Sequence, residues 1–350
     1  MPLRDFPCRD TAVDLGSRTA RVHVRGRGVV AVTPSLLALD DATGRCLAVG
    51  DEAMDLRAQV PLGVRFVWPF EGGVPDEVGT ARRLLRHLLR RAHRRRYMTS
   101  PRMAVAVPSE ITDVQQHALA YVAGSAGARS LTMVPTPLAA ALGAGVRLDE
   151  PPAVLMMDVG AVTTDMAVLS LGMVVVARTV RVGGQDLDRA IVDYARRERG
   201  VLIGLDTAAG VKRRIGAAEW HDHVLVHGRD PDTGVPRPVV LTAAEIGAAV
   251  ESPLRTLVGA IRSLLERCPA EMVVDLTDGG MVLTGGGARL TGLPDLLSER
   301  TGLPARVAED PASAVVLGCA ACLAGVPAFR PRREPRRDRR QGFLAAPRSL

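Results

Sequence analysis

The sequence predicts an α/β protein built from two related halves. Apolar runs of strand length alternate with longer stretches of helical period from residue 11 to residue 301. The chain has 350 residues, 47% hydrophobic and 24% charged, enough for two domains and a core without disulfide or metal staples. One unit also occurs twice. Shifted by 144 residues, Asp14-Leu15-Gly16 falls on Asp158-Val159-Gly160, Thr19 on Thr163, Gly28 on Gly172, and the apolar run 29–32 on 173–176.

Each element follows from its pattern. Residues 11–15 are apolar around Asp14, 19–24 follow a Gly turn, and 29–33 follow a second turn at 25–28, which reads as a three-stranded meander. Residues 34–70 are mixed, with turn signals at Asp40-Asp41 and, beyond them, at Gly72-Gly73. Residues 77–96 place Leu84, Leu85, Leu88 and Leu89 on one helical face and a string of Arg on the other. A buried strand at 103–107 stops at Pro108; a helix at 112–124, a strand at 130–134 and a small-residue helix at 137–145 follow. The second meander runs 154–159, 164–169 and 173–180, with helices at about 186–199 and 206–216 and a loop-rich stretch with strands at 220–241. Residues 242–265 read as a helix broken near Pro253. A strand at 281–283 runs into Gly285-Gly286-Gly287, and 290–301 reads as a helix. Residues 312–329 lack charge, but Gly318, Gly325, Pro327 and many Ala favour a buried helix over a membrane span.

Charge and cysteines exclude several classes. The net charge is +7, and the eight Arg against Glu334 and Asp338 in residues 330–350 account for +6 of it, so the body is near neutral. The Pro/Arg-rich tail is expected to be disordered, as a solubilising segment or a contact for anionic lipid or an acidic partner. Aromatics make up 3%, too few for a base-stacking surface, and no specific nucleic-acid binding is expected. Five scattered Cys imply no disulfide framework, and Cys319 and Cys322 read as core. His221, His223 and His227 lack metal spacing, so no zinc is assigned. The N-terminus carries Asp5 and Asp10 and no apolar signal region, so a cytoplasmic location is expected.

The repeated turns carry the candidate chemistry. Each ends a buried strand with Asp and continues into a Gly turn with hydroxyl residues. Such a turn can simply close a hairpin. Its N–H groups can equally form an anion site, and two turns facing each other would grip a polyphosphate from both sides, with Asp14 and Asp158 holding Mg²⁺ directly or through water. Thr284-Gly285-Gly286-Gly287-Ala288, between a strand and a helix, suits a floor for base and ribose.

In this order the motifs match the phosphate 1, phosphate 2 and adenosine signature of the actin–sugar kinase–chaperone superfamily. The chain resembles the MreB/Mbl family of bacterial actin-like cell-shape proteins, over roughly residues 10–325. Matching stretches are LAVGDE at 47–52, VAVPS at 105–109, AAALGAG at 139–145, VRVGGQDL at 180–187, LIG at 202–204, GRDPDTGVP at 228–236, VLTGGGARL at 282–290 and AEDP at 308–311. The resemblance implies an actin-like two-domain fold, each half an RNase H-like mixed sheet with helices, with ATP and Mg²⁺ in the cleft between. It divides the chain into a first core (1–36, 69–145 and 312–326) with a small subdomain (37–68), and a second core (146–181 and 246–311) with its own small subdomain (182–245), leaving 327–350 as tail.

Carried over by position, Gly16, Ser17, Arg18 and Thr19, together with Gly160, Ala161, Val162, Thr163 and Thr164, would hold phosphates. Lys212, the position of Ala209, and Gly285, Gly286, Gly287 and Ala288 would hold the nucleoside. Asp14 and Asp158 would serve Mg²⁺, and Thr136 and Thr164 stand at the family's catalytic positions. The departures are specific. The first loop reads Gly16-Ser17-Arg18-Thr19 where the family has G-T-A-N, and Ala161 and Val162 replace glycines in the second. The water-positioning carboxylate of E-E-P is replaced in Pro135-Thr136-Pro137, a loss of general-base assistance typically worth about 10²–10⁴-fold. Ala209 replaces an acidic nucleoside contact. An ATPase of the actin type with slow or lost hydrolysis is expected. The family also implies filaments of self or with an MreB-family paralogue, attached to the inner membrane surface through Tyr97, Met98 and the neighbouring Arg, and guiding the cell-wall synthesis machinery. The alternatives are a nucleotide-independent scaffold or copolymerising regulator and a small-molecule kinase of the superfamily. A kinase needs a substrate-binding insertion and a chaperone a peptide domain; the chain offers neither.

Overall fold

The computed structural model describes residues 10–93, 100–215 and 223–325. The first meander is Thr11–Leu15 (β1), Thr19–Val24 (β2) and Gly28–Pro34 (β3). Alternating burial along β2 puts Ala20, Val22 and Val24 in the core. A small unit follows: Leu37–Asp40 (β4), Cys46–Val49 (β5), Asp51–Ala58 (α1) and Val64–Val67 (β6). Its own core is Leu36, Ala38 and Ala53, with Met54, Phe66 and Trp68 packed on them. After the short pair Phe70–Glu71 (β7) and Val74–Pro75 (β8) come Val78–His93 (α2), Arg102–Val107 (β9), Asp113–Ala126 (α3), Ser130–Pro135 (β10) and Thr136–Gly143 (α4). A capping box between Thr112 and Gln115 starts α3.

The second half repeats the plan. Val154–Val159 (β11), Thr164–Ser170 (β12) and Met173–Val180 (β13) form its meander. Then come Gly184–Arg199 (α5), Leu205–Ile215 (α6), the hairpin His223–Arg229 (β14) and Pro236–Thr242 (β15), Ala243–Leu265 (α7) and Ala270–Gly279 (α8). Met281–Thr284 (β16) leads into a 3₁₀ turn at Gly286–Arg289, then Leu293–Thr301 (α9), Ala305–Val307 (β17) and Ala314–Ala324 (α10).

The two large sheets have one topology. The first is ordered β3-β2-β1-β9-β10 and the second β13-β12-β11-β16-β17, each with three antiparallel strands followed by two parallel ones. The 144-residue offset holds in register: Asp14 pairs with Arg21, and Asp158 with Asp165. The internal repeat is a structural repeat.

Five layers result, three of helices alternating with the two large sheets. Leu84, Leu85, Leu88 and Leu89 of α2 and Leu119 and Val122 of α3 cover one face of the first sheet. Ile191 of α5 and Val250, Leu257 and Ile261 of α7 belong to the layer that covers the far face of the second. Between the sheets lie α4 and α10, in a core of small residues that takes Ala12, Ala104 and Ala106 from one sheet and Met156, Ala167 and Val282 from the other. At the helix crossing a Cβ on Gly143 would sit 1.7 Å from the Ala314 carbonyl oxygen, and one on Gly318 would sit 1.7 Å from that of Ala139. Only glycine permits this approach.

Several expectations change. The helix expected to break near Pro253 is continuous as α7. Proline removes one N–H, but Ile246 and Val250 before it and Leu254, Leu257 and Ile261 after it are buried on one stripe, which holds both segments in line. The helix expected from residue 290 begins at Leu293, after the 3₁₀ turn. The mixed stretch 34–70 is the β4–β6 unit, and α8 was not expected. The uncharged run near the C-terminus contains α10, with Val315, Val316 and Cys319 buried. No helix among the described residues is long and apolar enough to cross a membrane. Tyr97, Met98, Arg94, Arg95 and Arg96, His221 and the Arg-rich tail lie outside the described residues.

The crossing yields a stability prediction. Gly143→Ala and Gly318→Ala should each destabilise by about 1–3 kcal/mol or more, since the opposing atoms are backbone. Gly247→Ala on α7, where a Cβ meets nothing within 4 Å, should stabilise by about 0.4–1 kcal/mol. Urea denaturation of the three variants checks the contrast.

Candidate functional site

The turns after β1 and β11 line the gap between the halves. Gly160 N–H donates to the Thr163 carbonyl at 2.9 Å and tightens the second turn. The carbonyls of Gly160 and Ala161 accept from Gly184 N–H (3.0 Å) and Gln185 N–H (2.8 Å) at the start of α5. Among the described residues, the backbone N–H groups of Ser17, Arg18, Ala161 and Val162 make no hydrogen bond. Successive free N–H groups on facing turns make a partially positive surface suited to an anion.

Two adjoining cavities meet at these turns. The larger, about 440 Å³, is lined by Arg18, Thr19, Gly160 and Ala161, by Met54, Arg57 and Trp68 of the small unit, by Gly184, Gln185, Leu187 and Asp188 of α5, by Asp206, Ala209 and Lys212 of α6, and by Gly286 and Gly287. The smaller, about 150 Å³, is lined by Asp14, Gly16, Ser17, Thr136, Asp158, Thr163, Asp165 and Gly285. Both share Arg18, Thr19, Gly160, Ala161 and Gly286. The glycine triplet has a divided role. A Cβ on Gly285 would lie 2.4 Å from the Val159 carbonyl oxygen and one on Gly287 2.4 Å from Val159 Cγ1, whereas one on Gly286 meets nothing within 4 Å. The outer two glycines pack the turn on β11, and the middle one faces open space.

Three carboxylates gather at the smaller cavity. Asp14 keeps 18% of its side-chain surface toward solvent and has the Arg21 guanidinium 3.7 Å away. Desolvation pushes its pKa up to about 7, opposed by Arg21 and assisted by Asp158. Asp158 accepts from the Thr284 hydroxyl at 2.9 Å, and burial raises it to about 6. Asp165 is raised to about 7, again chiefly by burial, and accepts from Ser109 N–H and the Thr179 hydroxyl, both at 2.9 Å. Three acids with raised pKa values line one cavity, and their burial favours the protonated form in the empty cleft.

Other predicted residues are placed as follows. Lys212 donates to the Gly184 carbonyl (2.6 Å) and pairs with Asp188 at 2.7 Å. The Ser17 hydroxyl accepts from Gly72 N–H at 2.8 Å. The Thr136 hydroxyl donates to the Val107 carbonyl at 3.0 Å. Three residues stand apart from both cavities. Thr164 is buried and donates to the Val182 carbonyl at 2.7 Å; Ala288 is 1% exposed in the second core; Val162 lines a neighbouring cavity with Trp68, Phe70 and Arg181. The carry-over by position concerns the chain rather than the side chain, and the Val162 backbone N–H stays free on the second turn.

Sequence reasoning missed the side chains that span the gap. Arg57 of α1 pairs with Asp206 of α6 at 3.2 Å, and Glu71 pairs with Arg181 at 3.1 Å. Asp188 and Gln185 were also missed, although both sit in or beside the VRVGGQDL stretch, and Trp68 has no local signal. Asp165 had one: the 144-residue shift sets it on Arg21.

Comparison with known proteins places the chain. The family model described as MreB/Mbl protein matches residues 8–330. The cell shape-determining protein MreB of Escherichia coli (strain K12) is 39% identical over 317 residues, 88% of this chain and 91% of that protein. The cell shape-determining protein Mbl of Bacillus subtilis (strain 168) is 33% identical over 318 residues, 90% of this chain and 96% of that one. The crystal structure of MreB 5 of Spiroplasma citri bound to AMPPNP matches with a TM-score of 0.84 at 30% identity, covering 89% of this chain and 95% of that chain. The fold is therefore the actin-like one.

The acid cluster sets the pH dependence of stability. Carboxylates whose folded pKa lies above the unfolded value hold protons that the unfolded chain releases. Stability is then greatest near the unfolded value of 3.8 and falls as pH rises toward about 6–7, as far as these three groups contribute. Asp158→Asn should flatten that part of the slope and raise the melting temperature at pH 7.5 relative to the parent. Thermal melts from pH 5 to 8 without nucleotide or divalent cation read both.

Proposed function

The chain belongs to the MreB/Mbl family, and from that premise we propose that it is an actin-like cell-shape protein that binds ATP with Mg²⁺ between its halves and assembles into filaments. One observation carries this: two Asp-bearing turns at equivalent positions in two equivalent sheets line one cleft, with free N–H groups on both. The AMPPNP-bound relative with the same fold supports it.

The residues present suit the ligand. Ser17, Arg18, Ala161 and Val162 offer backbone N–H groups to phosphate oxygens. Asp14 and Asp158, two neighbouring acids resisting ionisation, would hold Mg²⁺. Among the described residues no group of three or more His, Cys, Asp or Glu could hold a metal, so the ion would depend on the nucleotide's own phosphates and on water beside these two acids. When bound, the ion neutralises charge on the phosphates. Lys212, Gly286 and Gly287 would border the nucleoside, and Asp188, paired with Lys212, is the carboxylate in the same cavity wall as Ala209.

Hydrolysis in this reading is slow. The Thr136 hydroxyl is committed to Val107, and Asp165, the acid that shares its cavity, already accepts from Ser109 and Thr179. Filament growth would take place with other copies of the chain or a family paralogue, in the cytoplasm at the inner face of the membrane. Tyr97, Met98 and their neighbouring Arg would be the contact, and the cell-wall synthesis machinery the client.

Two measurements test the proposal. Pelleting and electron microscopy with Mg-ATP, Mg-ADP and no nucleotide should give filaments that need ATP. Equal filaments in all three would favour a nucleotide-independent scaffold, and none in any would overturn autonomous assembly. Thr136→Glu, which returns a carboxylate to the first turn of α4, should speed phosphate release by about 10²-fold if the missing base limits the rate.

A further inference from the structure

Arg18 is a half-buried cation of the cleft that forms no ion pair among the described residues, although Asp188 and Asp206 lie near enough to act on its charge. It lines both cleft cavities and the neighbouring one. Its guanidinium lies over the Trp68 ring, 4.1 Å from the centroid. Gln185, with its amide oxygen turned toward Arg18, accepts from Nη2 at 2.9 Å and also from Nε. Both partners are neutral. The other basic groups lining the two main cavities are answered: Arg57 by Asp206, Lys212 by Asp188, Arg21 by Asp14 and Arg289 by Asp310. Arg213 is the exception, and it is exposed to solvent. Burial presses the pKa of Arg18 below the usual value. A desolvated guanidinium held by an aromatic face and an amide is a preformed receptor for an anion, and its planar fork suits two phosphate oxygens at once.

Resting on the nucleotide-binding reading above, we infer that Arg18 is a specificity-determining residue for the polyphosphate. On binding, its guanidinium leaves Trp68 and Gln185 for phosphate oxygens, so that a direct bridge between the halves is exchanged for one through the ligand. The first turn carries side chains where the resemblance expects small or polar residues. Arg18 turns that departure into a second source of positive charge beside the free N–H groups. The cleft then selects by phosphate content more than by base.

The test uses the full chain with Trp220→Phe, which leaves Trp68 as its single indole. Binding of Mg-ATP, Mg-ADP and adenosine is measured by calorimetry, and Trp68 emission is followed in parallel. Arg18→Ala should weaken ATP and ADP about ten- to hundredfold and leave adenosine unchanged. Arg18→Lys should recover part of the loss. ATP, but not adenosine, should shift Trp68 emission in the parent, and the shift should vanish in Arg18→Ala. Arg18→Gln replaces Arg18→Ala if that variant does not fold. ATP binding that is unchanged or tighter in Arg18→Ala would make Arg18 a strut alone and overturn the inference while leaving the nucleotide reading intact. A parent that binds no ATP would overturn both.

Discussion

The spacing of everything in the cleft depends on the crossing of α4 and α10. Ala139 and Gly143 on one helix meet Ala314 and Gly318 on the other, and each glycine lies against the carbonyl of the opposite alanine. The contact is reciprocal, as expected for equivalent helices of a duplicated unit. It lets two sheets share one thin layer of small side chains, which brings the ends of β1 and β11 to opposite walls of a single cavity. A Cβ at either glycine would push the sheets apart and separate Asp14 from Asp158.

The duplicated halves have diverged at the position that matters most for charge. Opposite Asp14 on the neighbouring strand stands Arg21; opposite Asp158 stands Asp165. The first half thus carries its own counter-ion, while the second places two acids side by side. Asp165 is accommodated by Ser109 from the first half and Thr179 from its own. The second half therefore reaches into the first for a hydrogen-bond donor, and the acid cluster is also a link between the halves.

Much of the frame was legible in the sequence because it is written in local periods. Strand-length apolar runs gave the meanders, the 144-residue shift gave the equivalence of the sheets, and the leucines on one helical face gave α2. Gly285 to Gly287 were legible as a turn between strand and helix, and the structure puts that turn in the wall of the two cavities. What stayed hidden depends on contacts distant in the chain. Pro253 reads as a breaker until the buried stripe on both sides of it is seen. Arg57 and Asp206 look like ordinary surface charges, yet they meet across the cleft. Thr164 and Ala288 lie in the right motifs but face the interior, and a motif does not report side-chain direction.

The chain has 44 arginines and a single lysine, Lys212, which lines the cleft and is tied to Asp188 and the Gly184 carbonyl. Arginine keeps the surface charged but gives no nucleophilic amine at neutral pH. Acylation, carbamylation or isopeptide attachment therefore has one side-chain address in this chain, placed where a ligand would shield it. Apart from the N-terminal α-amine, the rest of the surface offers no amine to such reagents. The same bias that makes the sequence look monotonous gives the molecule a built-in reporter of whether its cleft is filled.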